Sequence, residues 1–437
     1  EIGQWLPDVV GIGAMTAEAP VLYALAEQVK KRWPQIKVVA GGAHATAFTE
    51  EALLESRIDY LVLGEGEETF KDLLDRFASG RPADGVPGTA YREGPERVAT
   101  APAREYLQDL DALPYPDWEG IKLPIYHGKP TFDLMNSRAR QMSIFTSRAC
   151  PFECIYCHNV FGKVFRARSA ENVVGEIRTL YRDYGVQEFL ILDDIFNIDL
   201  VRAKKIARML IAEKMDISLV FCGGFKADLV DEELIDLLAQ AGMERIAYAI
   251  ESASPRIQRL IKKNMDLEKV ARVIRWTAKR GVIVRGYFMV GFPTETREEI
   301  LQTIDWACRS DLTIASFMRV QPFQGTQLRA MVDEMGMELN LPYEHYNYDY
   351  SDNNLSTVPT EEVEALHRRA YQRFYGNPAR LWALATRIPN KRRLAYFFGI
   401  WLFKMFVPKR FRRDLVQGER ASETNSLPVP FGVGVSA

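Results

Sequence analysis

The chain has 437 residues, which is enough for two or three domains that each bury a core of their own. Hydrophobic residues make up 47%, charged residues 26%, and the formal net charge is −2. These values exclude a disordered or fibrous chain, and the balanced charge gives no reason to expect nucleic acid as a partner. The first residue is Glu1, so we expect that the natural N-terminus lies further upstream.

Short apolar segments alternate with amphipathic helices over residues 8–69, a pattern typical of a parallel sheet covered on both faces. The strands are predicted at 9–13, 37–40 and 60–63, and each is followed by small or polar residues. Ligands of open α/β sheets lie beyond these carboxyl ends, and glycine lets the backbone approach a bulky or phosphorylated group. Taken alone, the glycines are explained equally well by ordinary strand-to-helix turns.

The segments GIGAMT, VVAGGAHAT and DYLVLGEGEETF in this region resemble the second half of the cobalamin-binding domain that precedes many radical S-adenosylmethionine (SAM) enzymes. The resemblance implies a partial doubly wound, Rossmann-like domain over residues 1–80, with its first strands missing and cobalamin on its loops. The residues it assigns to cobalamin are Thr16, Gly41, Gly42, His44, Gly64, Glu65 and Gly66. His44 as a lower cobalt ligand competes with the more ordinary role of a surface or hydrogen-bonding histidine.

Residues 81–138 contain many prolines and few periodic apolar runs, which predicts a linker that packs over a domain junction. The segment LPYPDW within it is similar to one that commonly precedes the catalytic domain of the same family. A rigid spacer explains this segment as well.

Three of the five cysteines fall within eight residues, Cys150, Cys154 and Cys157, in the spacing C-x3-C-x2-C. Soft thiolates select zinc, copper(I) or an iron–sulfur cluster. Three thiolates leave one iron of a 4Fe-4S cluster open, and the amino and carboxylate groups of SAM can chelate it. Two alternatives remain: haem attachment through C-x-x-C-H, and a zinc site with His158 as the fourth ligand. The spacing, with an aromatic residue before the last cysteine, resembles the radical SAM signature.

Six apolar strands alternate with helices after this loop, at 141–146, 188–192, 218–222, 245–250, 282–290 and 315–320. Ser169 is predicted to cap the first helix and Gly185 to end it. The series predicts a partial (β/α)6 TIM-type barrel over residues 139–330, with its chemistry at the carboxyl ends of the strands.

Polar residues lie at those strand ends, and each taken alone is explained equally well by a solvated strand end. The segments IAYAIESAS, GYFMVGFPTET and QPFQGTQL resemble radical SAM segments, with Ala249 where the family has a glycine. The resemblance assigns SAM contacts to Tyr156, Asp193, Asp194, Lys226, Glu251, Arg285 and Gln321. It implies that Tyr156 meets the adenine through its backbone and that the two aspartates lie near the amino group of SAM.

Residues 331–437 are predicted to be mostly helical, with a disordered tail after 418. The stretch 387–413 carries nine basic residues and no acidic one around an apolar, aromatic centre. It is predicted either to rest at a membrane interface or to dock on the barrel as a core helix.

Together these resemblances imply a cobalamin-dependent radical SAM enzyme that cleaves SAM reductively at a 4Fe-4S cluster to a 5′-deoxyadenosyl radical. The implied group includes the anaerobic magnesium-protoporphyrin ester cyclase and the radical methylases, among which methylation of an unactivated carbon is commonest. Oxidative cyclisation or rearrangement of a tetrapyrrole or lipid-like substrate, and a non-radical haem or zinc protein, are the alternatives. We expect a small-molecule substrate, an electron donor such as flavodoxin or ferredoxin, and a cytoplasmic location, with peripheral membrane contact through 387–413 left open.

Overall fold

Five strands form the N-terminal sheet of the computed structural model, which describes residues 2–127, 137–337, 339, 341–347, 351 and 353–387. In spatial order they are β1 (Val9–Gly13), β2 (Lys37–Gly41), β3 (Tyr60–Val62), β4 (Thr89–Arg92) and β5 (Val98–Thr100). The first three are parallel, as predicted, and β4 and β5 continue the sheet antiparallel. The associated helices are α1 (Ile2–Trp5), α2 (Ala19–Arg32), α3 (Ala43–Ala47), α4 (Thr49–Leu54) and α5 (Glu67–Ala78).

Strands β4 and β5 lie inside the segment predicted to be a linker. Arg92 of β4 donates hydrogen bonds to the carbonyl oxygens of Ser56 and Ile58, both at 2.7 Å, so the hairpin is tied to the end of α4. The N-terminal sheet therefore extends to Thr100, past the predicted domain boundary at residue 80.

Six parallel strands form the second sheet, in the order β13-β12-β11-β10-β9-β6. They are β6 (Gln141–Ile144), β9 (Glu188–Ile191), β10 (Ser218–Phe221), β11 (Met243–Glu251), β12 (Ile283–Val290) and β13 (Ile314–Arg319), while β7 (Ser147–Arg148) and β8 (Arg166–Ala167) form a separate antiparallel pair. The helices are α6 (Ala170–Tyr184), α7 (Leu200–Glu213), α8 (Glu232–Gln240), α9 (Pro255–Leu260), α10 (Leu267–Lys279), α11 (Arg297–Arg309), α12 (Gln327–Glu334), α13 (Thr360–Tyr375) and α14 (Pro378–Arg387). This arrangement confirms the predicted partial (β/α)6 barrel.

Helix α6 shows why the prediction succeeded here. The side chain of Ser169 accepts a hydrogen bond from Asn172 N, and Gly185 takes a left-handed conformation with φ 66°. These contacts satisfy backbone groups that the ends of a helix leave unpaired. One face of the sheet packs against the helices through fully buried aromatic side chains such as Tyr248 and Phe288.

Helix α13 covers β13, the edge strand of the barrel sheet. The Tyr371 hydroxyl accepts from Phe317 N at 3.1 Å and donates to Phe317 O at 3.0 Å, and Tyr375 makes the same pair of bonds with Ala315. Tyrosine hydroxyls thus satisfy backbone groups that an open edge would expose to another chain.

The basic, aromatic stretch 387–413 lies outside the described residues except for Arg387. Within the described part of the chain, no helix combines the length and the apolar character needed to cross a membrane.

Candidate functional site

Two aspartates at the end of β9 hold the start of the loop that carries the cysteines. Asp193 is buried, and its carboxylate accepts hydrogen bonds from Thr146 N at 2.6 Å, Thr146 Oγ1 at 2.5 Å and Ser147 Oγ at 2.6 Å. Asp194 accepts from Ala149 N at 3.1 Å, directly before Cys150. The two carboxylates therefore fix the backbone from which the cysteine loop departs.

This geometry differs from the role predicted for Asp193. Both of its oxygens are engaged by the protein, and only 4% of the residue is exposed, so it supports the loop instead of facing a ligand. Asp194 is exposed at the strand end, where a ligand contact is compatible with its bond to Ala149. The sequence could not separate the two neighbours because the difference lies in which loop each one meets.

The three thiols differ in exposure, with Cys150 and Cys154 partly buried and Cys157 exposed. A hydrogen bond from Cys157, helped by the charge of Lys263 and opposed by burial, lowers the pKa of Cys154 to about 6. Among the residues that the structure describes, no three potential ligands converge on one metal ion. Three thiolates from one loop suit an iron–sulfur cluster, in which each thiolate binds a different iron.

A buried ionic group lies beneath the cysteine loop. Glu251 ends β11 with φ 66°, after a shift in the strand register at Ala249, and its carboxylate accepts from the Tyr156 hydroxyl at 3.2 Å. Lys263 Nζ lies 3.6 Å from the same oxygen. Burial lowers the pKa of Lys263, but Glu251 and the thiols outweigh it and raise the pKa above its usual value. Lys263 therefore supplies a fixed positive charge next to the thiols, and no motif in the sequence pointed to it.

The other predicted SAM residues have different surroundings. Lys226 pairs with Asp228 at 2.6 Å, and its Nζ lies 5.2 Å from the centre of the Phe152 ring in the cysteine loop. Arg285 lies on the concave face of the barrel sheet and helps to line a narrow cavity there. Gln321 is fully buried, and its carbonyl oxygen accepts from Asn353 at 2.8 Å. The structure thus brings Lys226 to the cysteine loop and engages Gln321 inside the protein.

Glycines line the carboxyl edge of the N-terminal sheet. A Cβ added to Gly13 or Gly64 would meet nothing within 4 Å, so open space adjoins this edge. Gly42 differs, because its φ is 93° and an added Cβ would lie 2.8 Å from Ala14 O. Thr46 Oγ1 accepts from Gly64 N at 3.1 Å and so joins two of the loops. The open edge suits a flat, bulky ligand such as a corrin, whereas Gly42 is required by the close approach of two loops.

His44 lies within an aromatic cluster and not at the open edge. Its ring is fully buried, the Tyr23 hydroxyl lies 2.6 Å from its Nε2, and the rings of Phe48 and Tyr343 pack against it. Burial lowers the pKa of His44 to about 4, so the ring is neutral at neutral pH. Of the two roles considered for His44, the structure shows the hydrogen-bonding one.

Glu65 also differs from its predicted role. Its carboxylate lies 3.1 Å from Arg148 and 2.8 Å from Arg166, and it accepts from Leu107 N at 3.0 Å. Glu65 therefore faces the cysteine loop and the connecting segment instead of the open glycine edge. The remaining predicted cobalamin residues, Thr16, Gly41 and Gly66, are partly exposed beside that edge.

Two family models match the chain. Residues 144–307 match the radical SAM superfamily and residues 1–74 match the B12 binding domain. The first match contains all three clustered cysteines, and the second contains the glycine-lined strand ends.

Curated relatives agree with this division. The chain is 33% identical to a protein of Pyrococcus horikoshii named an uncharacterized methyltransferase, over 85% of this chain and 79% of that protein. It is 30% identical to cytidylyl-2-hydroxyethylphosphonate methyltransferase of Streptomyces wedmorensis, over 74% of this chain and 66% of that protein. It is 27% identical to the anaerobic magnesium-protoporphyrin IX monomethyl ester cyclase of Rubrivivax gelatinosus, over 93% and 72% respectively.

Solved structures share the fold. The cobalamin-dependent SAM radical enzyme OxsB, with aqua-cobalamin and SAM bound, matches 96% of this chain with a TM-score of 0.68 and 14% identity, and 68% of its own chain is covered. The methyltransferase TsrM from Kitasatospora setae, with cobalamin and a 4Fe-4S cluster bound, matches 75% of this chain with a TM-score of 0.60 and 21% identity. This chain spans 65% of that TsrM chain.

Proposed function

The chain belongs to the radical SAM superfamily and carries a B12 binding domain, and from this premise we propose that it methylates an unactivated carbon of a small molecule. Membership implies that the protein is an enzyme whose cofactors are a 4Fe-4S cluster, SAM and cobalamin. It also removes the haem and zinc alternatives. Two relatives that are at least 30% identical are named methyltransferases, which favours methylation over other outcomes.

One observation carries the proposal: ion pairs join the cysteine loop to the loop after β3. The carboxylate of Glu65, which makes one of these pairs, lies between Gly64 and Gly66 of the open edge. Arg148 lies two residues before Cys150, and its guanidinium reaches Glu65 at 3.1 Å and Glu67 at 2.5 Å. A group held on the glycine edge and a cluster held by the cysteines would therefore lie on neighbouring loops. Such proximity is what transfer of a group between two cofactors and a substrate requires.

We assign Cys150, Cys154 and Cys157 to the cluster, and the backbone of Tyr156 with Asp194, Lys226, Glu251 and Arg285 to SAM. When bound, the cluster supplies the electron that cleaves SAM and cobalamin supplies the methyl group. The positive charge of Lys263 contributes to the lowered pKa of Cys154. Asp193 fixes the loop, and Gln321 accepts a hydrogen bond from the Asn353 side chain.

The test uses SAM with a deuterated methyl group. We expect the anaerobically reconstituted and reduced protein to cleave one SAM to 5′-deoxyadenosine and methionine. We expect it to move the CD3 group of another SAM to its reduced cobalamin with release of S-adenosylhomocysteine, and mass spectrometry measures all of these products. If protein that holds both cofactors forms neither 5′-deoxyadenosine nor labelled methylcobalamin, the proposal is contradicted.

Radical cyclisation is the second candidate, because the match to the magnesium-protoporphyrin ester cyclase covers 93% of this chain. The same experiment separates the two functions. Formation of 5′-deoxyadenosine with no labelled methyl group on cobalamin would favour cyclisation or rearrangement over methylation.

Two partners complete the proposal. A flavodoxin or ferredoxin would supply the electron.

Residues 387–413 carry nine basic side chains and would bind anionic lipid. Each charge near the membrane surface would contribute about 1 kcal/mol to the binding free energy. Sedimentation with anionic vesicles at low and high salt tests the lipid contact. Binding that salt weakens supports it, and no binding at low salt leaves the docked helix predicted as its alternative.

A further inference from the structure

Two paired arginines, one on each side of the cysteine loop, close the base of that loop. Strands β7 and β8 pair antiparallel, with Arg148 opposite Arg166, and residues 149–165 between them carry all three cysteines. Arg166 also donates to Phe161 O at 2.9 Å, so it holds the far end of the same loop. Whatever fixes these two arginines fixes the position of the cysteine loop as a whole.

One carboxylate from the N-terminal domain fixes both. Glu65 lies 3.1 Å from Arg148 and 2.8 Å from Arg166, and the side chains of Glu65 and Arg166 are 8% and 3% exposed. Glu65 also accepts from Leu107 N, and Arg166 donates to Leu107 O at 2.7 Å. Three segments that are distant in sequence therefore meet at one buried ionic centre, where solvent screens the charges little.

Glu65 is also the residue best placed to respond to a ligand at the glycine edge. Its neighbours are Gly64, with φ 69° and open space in place of a side chain, and Gly66. A ligand that contacts these glycines contacts the backbone that carries Glu65. A shift of that backbone moves the carboxylate, and the two arginines bound to it move with the cysteine loop.

We propose that Glu65 is a positioning residue that couples occupancy of the cobalamin edge to the geometry of the cysteine loop. This inference rests on the proposed function, since it requires both cofactors. Coupling between sites is reciprocal, so cobalamin alters SAM affinity by the same factor as SAM alters cobalamin affinity. Couplings of this kind are typically at least about fivefold.

The experiment measures SAM affinity of the cluster-loaded full chain with and without hydroxocobalamin, by the change in the EPR spectrum of the reduced cluster. In the unchanged protein we expect cobalamin to alter the SAM dissociation constant at least about fivefold. In Glu65→Gln, which keeps the shape of the side chain and removes its charge, we expect that ratio to fall towards one while both cofactors still bind. A merely structural role would lower binding without changing the ratio.

Arg57→Gln is the matched control, because Arg57 forms an exposed ion pair with Glu27 in the same domain. The control is expected to keep the full ratio. If Glu65→Gln does not fold, Arg148→Lys keeps the charge but loses the forked contact to Glu65 and Glu67, and an intermediate ratio is expected.

The outcomes separate this inference from the proposed function. A protein that binds neither cofactor contradicts the proposed function. Two results would overturn this inference and leave the proposed function intact, provided that the protein binds both cofactors and cleaves SAM. One is the absence of coupling in the unchanged protein, and the other is a full ratio in both Glu65→Gln and Arg148→Lys.

Discussion

The cysteine loop and the glycine edge of the N-terminal sheet would present different surroundings to the ligands proposed for them. The cysteine loop is polar and anchored, with Asp193 and Asp194 bonded to its first residues and Lys263 beneath its thiols. The glycine edge has open space at Gly13 and Gly64, and the polar residue Glu65 beside it is turned towards the barrel.

This difference shows what polar residues at strand ends do in each region. In the barrel, three cysteines present thiols, and the carboxylates of Asp193 and Asp194 bond to the backbone that leads into their loop. At the N-terminal edge, backbone and empty space are offered to the ligand, while His44 and Glu65 are engaged within the protein. Asp193, His44 and Glu65 therefore show that a polar side chain at the end of a strand can support a loop.

The largest expected effect comes from the thiols, on which one side of the comparison depends. Replacing Cys150, Cys154 and Cys157 together by alanine should remove the iron, the visible absorbance of the cluster and all formation of 5′-deoxyadenosine, because no protein ligand remains. The unchanged protein should hold about four irons and four sulfides per chain. Cys308→Ala is the control and should keep the cluster, since Cys308 is a single cysteine packed beside the core. A cluster retained in the triple variant would contradict the assignment.

The two aspartates should differ in the next experiment. Asp193→Ala leaves the N–H and the hydroxyl of Thr146 buried without an acceptor, and the Ser147 hydroxyl keeps only Ile195 O at 3.1 Å. We therefore expect a loss of about 3 kcal/mol in the free energy of unfolding and a loss of most bound iron. Asp194→Ala removes one bond to Ala149 and should cost about 1 kcal/mol. Urea denaturation and iron analysis measure both effects. Equal losses in the two variants would break the distinction between support and contact.

His44 gives a pH-dependent test of the N-terminal region. Its pKa is about 4 when folded and about 6.5 when unfolded, so the unfolded state binds more protons between these values. Stability from this group is present above pH 6.5 and is lost as the pH falls to 4, by up to about 3 kcal/mol. His44→Gln should remove this part of the pH dependence in denaturation measured from pH 7 to pH 4. Its cobalamin spectrum should match that of the unchanged protein, and a changed axial ligand would show that His44 binds cobalt.

Substitutions at two glycines of the same edge should have different effects: one should lower stability through backbone strain, and the other should weaken cobalamin binding. Gly42→Ala places a Cβ 2.8 Å from Ala14 O at φ 93°, so we expect a loss of about 2 kcal/mol in stability. Gly13→Val places its side chain in open space and should leave stability within about 0.5 kcal/mol while weakening cobalamin binding. Thermal unfolding and titration with hydroxocobalamin measure the two properties. Cobalamin binding that is unchanged in Gly13→Val would place the corrin elsewhere.

The sequence predicted the elements whose causes are local. Alternating apolar segments marked the six barrel strands, and Ser169 with Gly185 marked the ends of α6, because capping and periodicity act over a few residues. The spacing of the cysteines marked the loop that we assign to the cluster, and that assignment stays a prediction. Strands β4 and β5 were missed because they are short, three or four residues each, and lie among prolines and turns.

The supporting contacts could not be predicted because their causes are distant in sequence. Arg166 and Glu65 are 101 residues apart, and the sequence around each of them contains no pattern that predicts their ion pair. Lys263 lies beyond the end of α9 in a segment with no motif, and its role depends on the bend at Glu251. The sequence identified residue types suited to the chemistry, whereas only the fold distinguishes those that face the ligand from those that hold the loops.

If the cysteine loop and the glycine edge form one site, the cofactors bound to them should interact magnetically. The measurement is the EPR spectrum of the full chain loaded with the reduced cluster and cob(II)alamin, compared with the spectra of the two singly loaded forms. We expect the spectrum of the doubly loaded protein to be broadened or split, because two paramagnetic centres on neighbouring loops interact. A spectrum equal to the sum of the two separate spectra, with both centres fully occupied, would contradict this expectation.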